Sequence, residues 1–144
     1  MSARKEFKIN PLDLKRNKAI GVMLPLGGSP LFKLSYTTEE QGLSNLKNLI
    51  LTRKGERPLQ PLFGTDVYSL LFEQITPSLA SDLDDSLRAD IEFWLPYIVI
   101  DELIVNAEDD YNRVNINLTV RVTENGANTN IIILVSDQGD ISIV

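Results

Sequence analysis

The chain contains no cysteine and no histidine. Disulfides, thiolate nucleophiles, catalytic imidazole and every zinc site built on sulfur or imidazole are thereby excluded. With no thiol to protect, neither a reducing nor an oxidising compartment is favoured. Aromatic residues make up only 7% of the chain, and they form no platform on which nucleic-acid bases could stack. No apolar run reaches the roughly 20 residues that a membrane helix needs. The basic start Met1-Ser2-Ala3-Arg4-Lys5 leads into no uninterrupted apolar segment, so no signal peptide is expected.

What is present suits one ordinary globular domain. The 144 residues are 43% hydrophobic and 24% charged, enough for a single core. The net charge of −6 hides a strong asymmetry. Residues 1–57 carry 11 lysines and arginines against 5 carboxylates, whereas residues 58–144 carry 3 against 15. A chain this bipolar either folds its basic part onto its own acidic body or offers the two ends to different neighbours.

The most ordered-looking stretch is the connector from Thr52 to Thr65, with its sequel Leu70-Leu71-Phe72-Glu73. Gly55 is placed to close a helix in the left-handed conformation. Pro58 and Pro61 forbid helix. Gly64 and Thr65 restart the chain, with Thr65 a candidate N-cap. Arg53, Lys54, Glu56 and Arg57 share this connector with Leu59, Leu62 and Phe63, a composition suited to holding two helices at one angle.

Residues 1–36 read as an N-terminal arm and residues 37–144 as the folded domain. The arm has the turn signal Gly27-Gly28-Ser29-Pro30 and the alternating segment Phe32 to Tyr36, but too little regular apolar surface for a core of its own. It is expected to lie on a surface, its own domain's or a partner's. A first helix starts at Thr38 as N-cap, with Gln41 completing a capping box and Glu39 and Glu40 in the first turn. Leu43, Leu46, Leu49 and Ile50 form its apolar stripe, and Arg53 and Lys54 fall in its last turn. A second helix is expected over about Asp66 to Ile75. A third begins at Thr76-Pro77, buries Leu79, Leu83, Leu87, Ile91 and Trp94 or Leu95, turns Asp82, Asp84, Asp85, Asp90 and Glu92 to solvent, and stops at Pro96.

The remainder reads as a three-stranded antiparallel β-meander. Its first strand spans Tyr97 to Val105. Its second alternates Val114, Ile116, Leu118, Val120 and Val122 with polar residues, one face buried and one wet. Between them lies the charged turn Glu108-Asp109-Asp110. Glu124-Asn125-Gly126-Ala127-Asn128 is a hairpin loop. Ile131, Ile132, Ile133, Leu134 and Val135 form a continuous apolar strand, both faces of which call for cover. The chain then ends on Ile141-Ser142-Ile143-Val144, a β-prone tail. An apolar last strand and such a tail offer an edge to which another chain could add a strand.

The run Leu51-Thr52-Arg53-Lys54-Gly55-Glu56-Arg57, then Pro61-Leu62-Phe63-Gly64-Thr65 and Leu71-Phe72-Glu73, resembles the signature of the baseplate wedge subunit of contractile, T4-like phage tails. This is the lysozyme-like wedge and sheath-initiator family, which includes the TssE component of type VI secretion. The likeness covers residues 38–136, and Ile20-Gly21-Val22-Met23-Leu24-Pro25 also resembles the family's N-terminal segment. It implies a structural protein of the virion tail baseplate, assembled in the host cytoplasm. The implied partners are other baseplate wedge proteins and the tail sheath protein, with the tail tube or hub as further neighbours.

On the same resemblance, Arg53, Gly55, Arg57, Phe63, Gly64, Phe72, Glu73 and Pro96 form the connector and wedge contact. Ile131, Ile132, Ile133, Leu134, Val135, Ile141 and Ile143 form the strands that meet sheath. No cofactor and no metal is implied, nor any membrane. One departure stands out. Family members often carry Glu-Pro-Arg before the first long strand, and here Leu95, Pro96 and Tyr97 stand in its place. Docking through that segment would then be apolar, with Arg53 or Arg57 supplying the polar part.

Two other functions have some footing in the residues. A cell-wall glycosidase needs two carboxylates about 5–10 Å apart across a cleft. The chain has many, but each has a simpler role: Asp82, Asp84 and Asp85 solvate a helix, Asp101 and Glu102 belong to the strand region, and Glu73 pairs with a connector arginine. Nucleic-acid binding would rest on Arg4, Lys5, Lys8, Lys15, Arg16 and Lys18 meeting phosphates, with no reading motif to support it. The expectation is therefore an α+β structural protein without enzymatic activity.

Overall fold

The computed structural model describes residues 11–143, except 12, 16, 25, 27–28, 72–75, 109–112, 123–127 and 136–140. Two helices pack on an antiparallel sheet, and a small hairpin from the arm lies on the first helix. The elements run β1 (Gly21–Val22), β2 (Leu34–Ser35), α1 (Thr38–Leu51), α2 (Pro77–Trp94), β3 (Val99–Glu108), β4 (Arg113–Arg121), β5 (Thr129–Val135) and β6 (Ile141–Ile143). The α+β meander expected from the sequence is present as β3–β4–β5, and the tail extends it by one short strand in the order β3-β4-β5-β6.

The sheet buries one face. Leu103, Val114, Ile116, Leu118, Val120, Ile131, Ile133 and Val135 are buried against Leu46, Leu49 and Ile50 of α1 and Leu83, Leu87 and Ile91 of α2. Each such side chain removed from water contributes about 1.5–3 kcal/mol. In β5 the alternation is strict, so one face is covered and not both. Leu134 is 39% exposed, and the outer face also carries Asn115, Asn117 and Thr119 between their apolar neighbours. The first strand starts and ends later than expected, and it is bulged between Ile100 and Glu102. The bulge sets Asp101 outside the regular pairing, and its carboxylate takes two bonds from the Arg121 guanidinium, both at 2.7 Å.

The cap of α1 is Thr37, one residue before the expected Thr38, and its hydroxyl accepts from the Glu40 N–H at 3.2 Å. Thr38 is the first helical residue. Its N–H and hydroxyl donate to Asp13 of the arm, at 3.0 and 2.8 Å. The arm thus satisfies an N–H that the helix itself cannot. It also docks through Ser44, whose hydroxyl accepts from the Leu24 N–H at 2.6 Å. The described part of the arm therefore lies on its own domain. Gly42 faces the sheet: a Cβ there would stand 2.5 Å from a methyl of Val122. Its cost in helix propensity, about 1 kcal/mol, allows α1 to approach the end of β4 closely.

Candidate functional site

The connector is a closed loop, and its first task is to finish α1. A helix ends with four carbonyls that have no partner within it. Here Asn48 accepts from the Thr52 hydroxyl at 2.6 Å and Leu49 from the Thr52 N–H at 3.3 Å. Ile50 accepts from the Thr65 hydroxyl at 3.0 Å and Leu51 from the Tyr68 hydroxyl at 3.1 Å. All four are met, two of them by residues returning from the far side of the loop. Thr65 is therefore not the N-cap of a second helix. It is fully buried and closes the preceding one. Beyond it the chain makes a 3₁₀ turn, Val67–Leu71, in place of the expected α-helix, and residues 72–75 lie outside the described region.

The two ends of the loop are paired. Arg53 and Thr65 form a parallel bridge, and the Thr65 N–H donates to the Thr52 carbonyl at 2.9 Å. Gly64 makes this approach possible. Its φ is +126°, and a Cβ would lie 2.5 Å from the Thr52 carbonyl oxygen and 2.8 Å from the Arg53 carbonyl carbon, both backbone. Across the loop the Gly55 N–H donates to the Pro61 carbonyl at 2.7 Å. Gly55 has φ +88° with open space around it, so it supplies turn geometry and not room. It does not cap α1.

Lys54 does not lie in the last turn of α1, because the helix stops at Leu51, and its side chain reaches across to two other elements. Its ammonium lies 2.7 Å from Asp66 and 2.8 Å from Asp90. Asp90 is accordingly turned inward, its side chain 15% exposed, and not to solvent as its position on the acidic side of α2 suggested. Burial acts to lower the Lys54 pKa, but the bonds to Asp66 and Asp90 outweigh it and hold the group above its ordinary 10.5. The Ser86 hydroxyl adds a bond to Asp66 at 3.2 Å. One cation thereby ties the loop to the long helix.

The aromatic side of the loop makes the second tie. The Arg57 guanidinium lies 4.0 Å over the ring of Phe63. Phe63 meets Trp94 edge-on at 5.2 Å, and Trp94 meets Phe93 at 5.0 Å. Arg53 is exposed and lies 5.3 Å over Tyr68. Between these fixed points, Leu59 and Leu62 project outward, 96% and 74% exposed. Pro96 is exposed as well. Phe72 and Glu73, the other two expected connector residues, lie outside the described region, as do the turn at 109–110 and most of the hairpin loop at 124–128.

The residues that replace Glu-Pro-Arg face inward on both sides of Pro96. Leu95 is buried. Tyr97 packs against the core, and its hydroxyl accepts from Asn45 at 2.9 Å. Asn45 in turn accepts from Gln41, and the Ser35 hydroxyl of the arm donates to Gln41. A polar chain therefore runs from the arm through α1 to the start of the sheet.

The expected sheath-contact strands adjoin one another. Ile133, Leu134 and Val135 pair with Ile143, Ser142 and Ile141 of the tail. On that side of β5, Thr129 to Ile132 pair with no strand among the described residues. The opposite edge, β3, is also without a further strand among them, but it is bulged and carries Asp101 and Glu102.

The described residues thus form a small α+β domain whose connector is closed on itself with two leucines exposed, and whose sheet leaves part of β5 unpaired among the described residues. The family model described as baseplate wedge protein gp25 matches residues 23–127, most of the chain, and the chain belongs to that family. It is 38% identical over 80 residues to the baseplate wedge protein gp25 of Enterobacteria phage T4. That match takes in 51% of this chain and 59% of the T4 protein. Among solved structures, a putative tail lysozyme from Geobacter sulfurreducens superposes with a TM-score of 0.56 at 19% identity, over 65% of this chain and 85% of that one. A chain of the type VI secretion system baseplate complex gives 0.53 at 15% identity, over 72% and 91%. At such identities the two structures speak for the fold alone.

Proposed function

We propose that the protein is a structural component of a contractile tail baseplate. In this reading it docks on other wedge proteins and templates the tail sheath by strand pairing. Membership of the wedge family supports the first part. The observation that carries the second is the contrast between the sheet edges. The edge opposite β3 is formed by β6 and, from Thr129 to Ile132, by β5; neither stretch carries a charged residue, and β6 already adds to β5 as a short antiparallel strand. β3 carries a bulge and carboxylates, devices that keep foreign strands away. A sheath segment would extend the sheet beyond β6, gaining main-chain hydrogen bonds. Deletion of residues 140–144 tests this. Baseplates should form normally while sheath fails to start on them, as seen by electron microscopy. Normally sheathed tails from the deletion would remove the tail from the mechanism.

The glycosidase reading finds little to work with. Two clefts beside Arg53, Lys54 and Tyr68, of about 240 and 520 Å³, have one lining carboxylate each: Asp66, which Lys54 holds in an ion pair, and Glu56, which accepts from the Arg53 N–H. Asp101 is tied to Arg121. We infer a non-catalytic role, and clearance of cell-wall substrate by the purified protein would reverse that reading.

A further inference from the structure

The β1–β2 hairpin contributes nothing to the hydrophobic core. Among the described residues, no member of that core lies before Leu43. The large apolar side chains of the hairpin, Val22, Leu26, Leu31, Phe32, Leu34 and Tyr36, are all exposed. Ile20, Met23 and Leu24 are half-buried. What holds the hairpin is a set of hydrogen bonds to α1. The Leu24 N–H donates to the Ser44 hydroxyl at 2.6 Å, and the Tyr36 N–H donates to the Glu40 carboxylate at 2.9 Å. The fully buried Ser35 donates its hydroxyl to the Gln41 carboxamide oxygen. The Gln41 amide nitrogen donates in turn to Asn45 at 2.8 Å. Gly21 lies against the same carboxamide. A Cβ there would overlap its oxygen and stand 2.7 Å from its carbon.

Such bonds cost less to break than core packing. A donor and an acceptor that part into water are rehydrated, so the net loss is small. Apolar surface that is already exposed adds nothing further. Each hairpin residue that is freed regains backbone entropy. We propose that the β1–β2 hairpin is a strap, latched by Gln41, that leaves and rejoins α1 as a unit while the core stays packed. A two-stranded hairpin this short does not hold alone in water, so its own cross-strand bonds break when it leaves. Those run from the Ile20 N–H to the Ser35 carbonyl and from the Met23 N–H to the Lys33 carbonyl. In the open form α1 bares Gln41 and Ser44, and both helices and the four-stranded sheet remain.

Amide hydrogen exchange of the full-length chain, followed by NMR over a series of low urea concentrations, tests this. The amides of Ile20, Met23 and Leu24 should share one opening constant, about a hundredfold or more above that of Ile116 and Leu118 in β4. It should barely change with urea, because opening exposes little surface. Gly21→Ala displaces the latch, and Gln41→Ala removes it. Either should raise the opening constant at all three amides together, about five- to tenfold, the factor that one net hydrogen bond gives. Both variants should still unfold in urea in a single transition with the wild-type slope. Hairpin amides as protected as those of β4, or with the same urea dependence, would overturn the strap. So would a variant that loses its cooperative transition, since the hairpin would then belong to the core. Three unrelated opening constants would mean fraying of single residues, and would overturn it too. Unchanged exchange in both variants would overturn Gln41 as the latch.

Discussion

The connector and the sheet are built on opposite plans. In the connector the hydrogen bonds are closed and the hydrophobic groups are out: the last carbonyls of α1 all receive donors, yet Leu59 and Leu62 stand in solvent. In the sheet the hydrophobic groups are in and hydrogen bonds are left open at the edges: Ile116, Leu118 and Ile133 are buried, yet β5 is paired along only part of its outer side among the described residues. The difference separates two kinds of recognition. A closed loop binds through side chains it already holds in place. An open edge binds through backbone, and alternate side chains tune the fit.

The closed character of the connector is the easiest part to break. Gly64→Ala should have the largest effect, a loss of about 3 kcal/mol or more, because a left-handed strain and a backbone overlap act together. The overlap cannot relax by side-chain movement, since the facing atoms are the carbonyl of Thr52 and the backbone of Arg53 and Lys54. Urea unfolding would measure it. A shift under about 1 kcal/mol would mean that the loop opens at little cost, and the contrast with the sheet would fall.

Thr65→Val should cost less, about 1–3 kcal/mol, by leaving the Ile50 carbonyl without its donor at a fully buried position. Shape is nearly kept, so the loss isolates the hydrogen bond. A Val variant as stable as the wild type would show that α1 does not depend on the connector for its cap.

Much of this contrast was legible in the sequence. The meander, its alternation, and the buried stripes of both long helices come from periodicity, because burying one face is what gives a helix or strand its pattern. That Pro58 and Pro61 keep the connector out of helix was legible too, whereas Gly55, expected to close α1, turns within the loop, and Gly64, expected to restart the chain, lets the loop ends meet. What Thr65 and Tyr68 do was not, because their partners are the carbonyls of Ile50 and Leu51 at the other end of the loop. No local signal distinguishes a threonine that starts one helix from a threonine that ends another. Lys54 misleads for a related reason: the dipole preference for cations in a last turn is weak, about 0.3–1 kcal/mol, and two carboxylates on other elements outweigh it. The exposure of Leu59 and Leu62 could have been suspected from their place beside two prolines in a loop too tight to turn them inward.

Replacing Lys54 by Met sharpens the comparison from the electrostatic side. The change should cost about 1 kcal/mol after allowance for solvent screening, mostly through the stranded Asp90. The folded pKa is raised, so the stabilisation is fully present below 10.5 and is lost as pH rises through the higher folded value. Wild type and variant should therefore differ in stability at neutral pH and converge in strong alkali. A difference that persists there would assign the effect to packing of the lysine stem.

The smallest effect is expected at the guarded edge of the sheet, where Asp101 leaves the regular pairing to meet Arg121. The hydrogen bonds from Arg121 hold its pKa below the ordinary 3.8, against a weaker opposing effect of burial. A lowered folded pKa gives stabilisation that is present above 3.8 and disappears as pH falls through the folded value. Asp101→Asn should thus be slightly less stable than wild type near neutrality and indistinguishable from it in strong acid. Urea midpoints across the acid range would read this directly. The same variant removes one carboxylate from the β3 edge while leaving Glu102 beside it. If charge is what keeps that edge free, Asp101→Asn alone should not make the protein self-associate, whereas adding Glu102→Gln should. A double variant that remains monomeric in sedimentation would assign the guarding of β3 to its bulge, and the choice between the two edges would then rest on backbone shape and not on charge.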